Sequence, residues 1–308
     1  MKFDKILACV DGSEASPLVI RQALDWAARE GSGSLEILHV VDSKVEYPVL
    51  AAEFDEAADP RGEVEAKVLG KVEEMVRANL EEEESLPWTV KIITGRPYEV
   101  IVRRARELGV DLILLGHRRL SGWERLLLGS VASKVVPYAP CNVLVVRPGL
   151  ERVGKVLIAL DGTEESRSVA SFGLDQARLL GAEEVLFLHV VEEVTEATHT
   201  YWGSFTVGPE YYARARNVAE ANMDRLLSDL SKEREGDLPL CRSRVEVGRS
   251  HATIIDKAEK EKADLVIVGD RGVGSALEGF LLGSVSAKVV RYSPASVLVY
   301  RLPTGGKS

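Results

Sequence analysis

Residues Lys5–Ser16 read KILACVDGSEAS, and residues Lys155–Ser166 read KVLIALDGTEES. The same separation of 150 residues relates LEILHVVD, which begins at Leu35, to VLFLHVVE, which begins at Val185. A repeat of this length has the size of a whole domain and exceeds that of a solenoid unit. The sequence therefore predicts two copies of one fold, a first domain over residues 1–149 and a second over residues 153–303.

Two later matches locate the insertions. GRPYEVIVRRARELGVDLILLG ends at Gly116 and GRSHATIIDKAEKEKADLVIVG ends at Gly269, whereas the two LLGS sequences end at Ser130 and Ser284. The separation thus grows to 153 and then to 154 residues. The second copy carries one extra residue inside its glycine-rich loop.

Hydrophobic periodicity predicts the same order of elements in each copy. In the first copy, short β-branched runs predict strands at Ile6–Val10, Leu35–Val41, Val90–Ile93, Leu112–Leu115 and Val143–Val146. Apolar spacing of three and four residues predicts helices at Ala15–Glu30, Val64–Glu84, Tyr98–Leu108 and Ser130–Tyr138. The segments 54–62 and 194–208 fit neither period and are expected to be loops. Alternating strands and helices with nearly continuous apolar strands indicate an α/β fold, two tandem doubly wound domains with five-stranded parallel sheets.

Composition restricts the partners and the compartment. The chain of 308 residues has a net charge of −9, so nucleic acid and anionic membranes are unexpected partners. Its three cysteines form no CxxC pair, and no apolar run reaches the length of a membrane span. We therefore expect a cytoplasmic protein.

Polar turns mark the predicted binding edge. The first strand of each copy ends in Asp11-Gly12-Ser13 or Asp161-Gly162-Thr163, and the fourth ends in Gly116 or Gly269. Ligands bind doubly wound sheets beyond the carboxyl ends of the strands where strand order reverses, which places these turns together if strands one and four are neighbours. Ser130 and Ser284 are expected to begin and cap the following helix, whose N-terminus favours anions. A lone Gly-Ser pair that merely caps a helix is the alternative.

This order of DGS turn, LHVV strand, glycine turn, GS helix start and valine-rich final strand resembles the universal stress protein family. The resemblance covers nearly the whole chain twice and implies a Rossmann-like, adenine nucleotide alpha hydrolase-like fold. It also implies ATP binding, with or without Mg²⁺, through the pattern Gly-x2-Gly-x9-Gly-Ser/Thr. Neither copy matches that pattern fully.

The departures differ between the copies. The first copy keeps the spacing from Gly116 to Ser130 but has Arg119 in place of the second glycine, so we expect a weakened or lost site. The second copy has Gly269 and Gly272, but ten residues separate Gly272 from Gly283. Gly274 and Gly279 could absorb the extra residue, which makes the second copy the better candidate.

The resemblance implies specific binding residues. In the second copy these are Asp161, Val190, Val268, Gly269, Gly272, Gly283, Ser284 and Val285. In the first copy they are Asp11, Val40, Gly116, Gly129 and Ser130. The resemblance places the aspartate near the adenosine, the valines at the adenine, and the glycines and serine around ribose and phosphates.

Catalysis and metal binding find little support in the sequence. No Walker loop or G-x-S-x-G elbow is present, and no general base can be identified. His39 and His189 lie in apolar strands without a ligand cluster, so we interpret them as core histidines. We expect a non-enzymatic, nucleotide-binding regulator of the stress response. A scaffold with degenerate sites and a slow nucleotide hydrolase are the alternatives.

The final strands, CNVLVVRP and ASVLVYRLP, are valine-rich, and a bare edge of this kind would aggregate. The family resemblance implies antiparallel pairing of such strands, so we expect the two copies to pair within one chain. A homodimer is left open by the sequence.

Overall fold

A computed structural model describes residues 2–54, 59–80, 87–117, 128–193, 198–200, 203–205, 208–234, 236–270 and 282–302, with only the backbone at 198–200 and 203–205. The chain divides between Glu151 and Arg152 into two compact units. Each unit is described by itself.

The first unit alternates strands and helices. Its elements are β1 (Lys5–Val10), α1 (Ser16–Glu30), β2 (Ser34–Asp42), α2 (Glu46–Ala51), a 3₁₀ turn (Ala52–Phe54), α3 (Pro60–Arg77), β3 (Trp88–Gly95), α4 (Pro97–Leu108), β4 (Leu112–Gly116), α5 (Ala132–Tyr138) and β5 (Asn142–Val146). The strand order is β3-β2-β1-β4-β5, and every pairing is parallel.

The second unit repeats this plan. Its elements are β6 (Lys155–Leu160), α6 (Ser166–Leu179), β7 (Glu184–Glu192), β8 (Thr198–Thr200), β9 (Gly203–Phe205), α7 (Pro209–Lys232), β10 (Leu240–Gly248), α8 (Ser250–Lys260), β11 (Leu265–Gly269), α9 (Ser284–Tyr292) and β12 (Ser296–Tyr300). The parallel order β10-β7-β6-β11-β12 matches that of the first unit, and β8 and β9 form a separate antiparallel pair.

The doubly wound α/β architecture is therefore confirmed. In the first unit β1 pairs with β4, and in the second β6 pairs with β11. The chain runs outward from each of these central pairs in opposite directions, so strand order reverses between the two strands. The carboxyl ends of β1 and β4, and of β6 and β11, therefore meet where the sequence predicts a binding edge.

The central strands form the core because helices cover both faces of a parallel sheet. In β4, Leu112, Ile113 and Leu114 are completely buried, as are Val266 and Ile267 in β11. None of the described helices is long and apolar enough to cross a membrane.

Three predicted segments differ from the structure. The segment 54–62, predicted as a loop, begins at the end of the 3₁₀ turn and runs into α3, whose first residue is Pro60. The helix predicted over Val64–Glu84 covers Pro60–Arg77, because the Asp59 side chain accepts a hydrogen bond from Gly62 N at 3.0 Å and Pro60 fixes the first turn. Residues 81–84, at the predicted end, lie outside the described residues. The segment 194–208, predicted as a loop, contains β8 and β9, which are too short for a hydrophobic period to reveal.

Candidate functional site

The turn after β6 is held by a network around Asp161. Oδ1 of Asp161 accepts hydrogen bonds from Thr163 N at 3.0 Å, Thr163 Oγ1 at 2.6 Å and Ser166 Oγ at 2.8 Å. Ser166 Oγ in turn accepts a hydrogen bond from Gly162 N at 2.9 Å. These bonds fix one carboxylate oxygen, and within the described residues Oδ2 receives none.

The turn after β1 has the same design with fewer bonds. Oδ1 of Asp11 accepts from Ser13 N at 3.0 Å and from Ser16 Oγ at 3.3 Å. Gly12 and Gly162 both have positive φ, at +73° and +78°, which a glycine adopts without strain. The two copies therefore share the turn that the repeated DGS and DGT sequences predict.

The start of α9 lies beside this turn in the second unit. Gly283 N donates to Asp270 O at 2.7 Å, and Ser286 Oγ donates to Gly269 O at 2.6 Å, so α9 is tied to the end of β11. Ser284 is the first residue of α9 and is exposed. The expectation that Ser284 caps this helix is wrong, since Gly283 occupies the cap position and no side chain caps the helix.

The first unit differs at the corresponding place. Helix α5 begins at Ala132, after Val131 in the cap position, so Ser130 neither begins nor caps it. The Ser130 carbonyl accepts a hydrogen bond from Ser133 Oγ at 3.0 Å. Gly116, at the end of β4, lies so close to Ala15, which precedes α1, and to Val19 of α1 that a Cβ atom there would stand 3.1–3.2 Å from them.

Some predicted residues cannot be placed. Arg119, Gly272, Gly274 and Gly279 lie outside the described residues. The comparison of the two glycine loops therefore remains a prediction from the sequence.

A large cavity opens at the carboxyl edge of the second sheet. Its volume is about 1660 Å³, and the described residues that line it all belong to the second unit. It brings together all the described members of the predicted set of that unit: Asp161, Val190, Val268, Gly269, Gly283, Ser284 and Val285. This volume exceeds the roughly 300–1,000 Å³ of ordinary small-molecule pockets.

Helix α7 supplies one wall of the cavity that the motifs did not indicate. Its lining residues are Tyr211, Arg214, Ala215, Val218, Ala219, Asn222, Met223 and Leu226. They recur at three- and four-residue spacing and form one face of the helix. That spacing is visible in the sequence, but it is also the ordinary signal of a core helix.

The equivalent helix of the first unit is packed differently. Val64, Val68, Val72 and Val76 of α3 are all buried, whereas α7, although longer, buries only Met223 and Leu230. Val218 of α7 is 61% exposed. Helix α3 of the first unit thus packs against the core, whereas the equivalent helix α7 of the second unit borders an open cavity.

The two strand histidines also differ. His189 Nδ1 lies 3.0 Å from Leu160 O, while the buried His39 has its Nε2 3.3 Å from Oε1 of Glu46, the first residue of α2. Within the described residues neither ring nitrogen of His39 has a hydrogen-bond partner, so this buried ring is not satisfied as a core histidine would be. His189 is half-buried and lines the cavity of the second unit, so it is not a core histidine. Among the described residues no three His, Cys, Asp or Glu side chains are grouped to hold a metal.

Comparison with known proteins covers both units. A sequence model of the universal stress protein family matches residues 2–147 and 153–301. A relative from Mycolicibacterium smegmatis, named a universal stress protein, is 28% identical, with 96% of each chain covered. A relative from Staphylococcus haemolyticus named in the same family is 35% identical over 150 residues, 48% of this chain and 86% of that protein.

The fold has a full-length match among solved structures. The crystal structure of a universal stress protein from Archaeoglobus fulgidus superposes with a TM-score of 0.63 at 22% identity. It covers 97% of this chain and 97% of that one. The likeness extends over both units and concerns the fold.

Proposed function

Since this chain belongs to the universal stress protein family, we propose that it binds ATP or another adenine nucleotide in its second unit and acts as a regulator of the stress response. One observation carries the proposal. The cavity of the second unit gathers every described residue of the second copy for which the resemblance implies a role in nucleotide binding.

The chemistry of the cavity suits a nucleotide. Val190 and Val268 offer apolar surface for a base, and the start of α9 offers backbone N–H groups to a phosphate. Ser284 Oγ has no hydrogen bond within the described part of the chain and can donate to a phosphate oxygen. Asp161 Oδ2 can accept a hydrogen bond from a ribose hydroxyl or the adenine amine, while Oδ1 holds the turn.

We propose binding without turnover. The sequence provides no Walker lysine and no identifiable general base, and the Asp161 and Glu192 carboxylates each use one oxygen to hold local structure, the turn after β6 and the start of α8. Mg²⁺, when present, would neutralise phosphate charge and would need water-mediated contact with such carboxylates.

The first experiment is to denature freshly purified protein and to quantify released nucleotide by chromatography. Stripped protein is then titrated with ATP, with and without Mg²⁺. About one nucleotide per chain supports a single site in the second unit. About two would show that Arg119 is compatible with binding, and none in either assay would favour a scaffold that acts through protein contacts.

A substitution in the cavity wall assigns the site. Val218→Trp introduces bulk at an exposed position of α7 and should weaken ATP binding, because the side chain lines the cavity. Val49→Trp is the matched control, since Val49 is 70% exposed on α2 of the first unit. Equal effects of the two variants would argue against the assignment.

A further inference from the structure

Three side chains on the α8 and α9 side of the cavity are basic. Arg249 precedes α8, His251 lies in its first turn, and Lys288 lies on α9, and all three line the cavity. Burial and the positive charges of Lys288 and Arg249 lower the pKa of His251. We call Arg249, His251 and Lys288 the basic cluster.

In the first unit the residues at the same positions have partners within their own domain. Arg96, Tyr98 and Lys134 correspond to Arg249, His251 and Lys288 in the aligned repeats. Arg96 Nη1 lies 3.0 Å from Glu99 Oε1, which raises the pKa of Arg96. Lys134 Nζ lies 5.2 Å from the centre of the Tyr98 ring. Both cations of the first unit therefore have partners within their own domain.

The second unit has lost these partners. Ala252 stands where the first copy has Glu99, and His251 replaces the tyrosine ring. Arg249 and Lys288 form no ion pair with the residues that the structure describes. Two permanent positive charges thus line the cavity without the carboxylate and aromatic partners seen in the first copy.

One carboxylate lies close to the basic cluster. Glu192, at the end of β7, raises the pKa of His251 and accepts a hydrogen bond from Ser250 N at 2.8 Å. Its oxygen is already used by the start of α8, and its single negative charge offsets only one of the two permanent cations. Arg249, His251 and Lys288 together with Glu192 retain a net positive charge, while the same cavity is also lined by the carboxylates of Asp161, Glu164, Glu165 and Glu193.

Helix geometry relates the basic cluster to the proposed phosphate site. Lys288 follows Ser284 by four residues, so both lie on one face of α9, separated by about 6 Å along its axis. A long helical side chain leans toward the N-terminus of its helix, so the Lys288 amine is directed back toward Ser284. The basic cluster and the proposed phosphate site at Ser284 are therefore neighbours within one cavity.

We infer that the basic cluster binds the terminal phosphates of an adenine nucleoside polyphosphate, so that the second unit selects ATP and ADP over AMP. The inference rests on the proposed nucleotide site and names the part of the ligand that the cluster recognises. Charge-assisted contacts to Arg249 and Lys288 are available to the second and third phosphates, whereas Ser284 and the start of α9 serve the first.

The test compares ATP and AMP affinities of the stripped, full-length chain by calorimetry. Arg249→Ala and Lys288→Ala should each weaken ATP binding about tenfold and leave AMP binding within about twofold, because AMP lacks the terminal phosphates. Arg96→Ala and Lys134→Ala are the matched controls in the first unit and should leave the ratio of ATP to AMP affinity unchanged. All four side chains are on or near the surface, and thermal unfolding checks that each variant folds.

A gain of charge gives an independent test. Ala252→Glu restores the carboxylate that pairs with Arg96 in the first copy and should lower the ratio of ATP to AMP affinity as Arg249→Ala does. Equal weakening of ATP and AMP, or no change in either, would overturn the inference while leaving the nucleotide site in place.

Failure of the proposed function gives a different result. If the wild-type chain binds no adenine nucleotide, the cluster is tested with inorganic tripolyphosphate. Binding that Lys288→Ala weakens would retain the cluster as a polyphosphate site without the nucleoside, and absence of binding would overturn it.

Discussion

The imidazole ring of His189 lies directly against Gly162. A Cβ atom at Gly162 would stand 2.9 Å from His189 Cε1, closer than carbon atoms ordinarily approach. At Gly12, the equivalent position in the first unit, the same atom would meet nothing within 4 Å. The second strand of the second unit thus supports the turn that borders the cavity.

Gly162→Ala should therefore destabilise the protein more than Gly12→Ala. Both changes place a side chain at a positive φ, which costs about 1–2 kcal/mol. Only Gly162→Ala also displaces His189 from Leu160 O, at a further cost of about 1 kcal/mol. Urea denaturation of the two variants measures the difference, and equal midpoints would refute the structural role of the contact.

Ser284→Ala should weaken ATP binding by about 1–3 kcal/mol, because its hydroxyl is expected to donate to a charged phosphate. Ser130→Ala is the control in the first unit, where we expect weakened or lost binding. Calorimetric titration measures the ATP dissociation constant of both variants. An unchanged dissociation constant in Ser284→Ala would remove this hydroxyl from the site.

The two glycine loops should respond oppositely to exchange of their distinguishing residues. Gly272→Arg should abolish most binding in the second unit, because a side chain replaces the backbone approach that a phosphate requires. Arg119→Gly should create or strengthen a site in the first unit. Titration of stripped protein gives the stoichiometry, and no change in either variant would mean that the loop assignment is wrong.

His117 should make the protein sensitive to acid. Burial, followed by the positive charge of Arg147, lowers the pKa of His117 from 6.5 to about 4. The unfolded chain therefore binds a proton at higher pH than the native chain, so stability is retained above about pH 6.5 and falls as the pH drops toward 4. The full shift corresponds to about 3 kcal/mol.

Replacing the ionisable ring tests this dependence. His117→Gln should flatten the decline of the unfolding free energy between pH 6.5 and 4, relative to the wild type. At pH 7 both forms carry a neutral side chain, so the slopes there should agree. Parallel curves throughout the acidic range would show that His117 does not carry the effect.

The turns and strands could be predicted from the sequence because their signals are local. Short β-branched runs, the two Asp-Gly turns and the repeat itself placed β1, β2, β4 and β5 within a residue or two of their observed ends. The predicted neighbourhood of strands one and four is confirmed by the pairing of Cys9 with Leu115. The pairing of the two final strands and the binding role of each site residue stay predictions.

Helix starts are predicted less well than strand ends, since a serine near a helix start can cap the helix, form its first turn or lie before it. Ser284 was expected to cap α9, yet Gly283 holds the cap position and the serine hydroxyl stays available. Residues Glu46–Ala51 form α2, a helix that the periodicity did not predict because a single turn and a half gives too few residues to show a period.

The sequence by itself determined the duplicated α/β fold and the edge at which a ligand would bind, because repeats, turn glycines and apolar periodicity act over a few neighbouring residues. Only the tertiary structure decided that α7 borders a cavity while α3 is packed onto the core, since identical helical spacing serves both arrangements. It also brought Arg249 and Lys288 to one wall of that cavity. The loss of the Glu99 equivalent at Ala252 is visible in the sequence, but the common cavity wall depends on contacts between elements far apart in the chain, which local pattern does not encode.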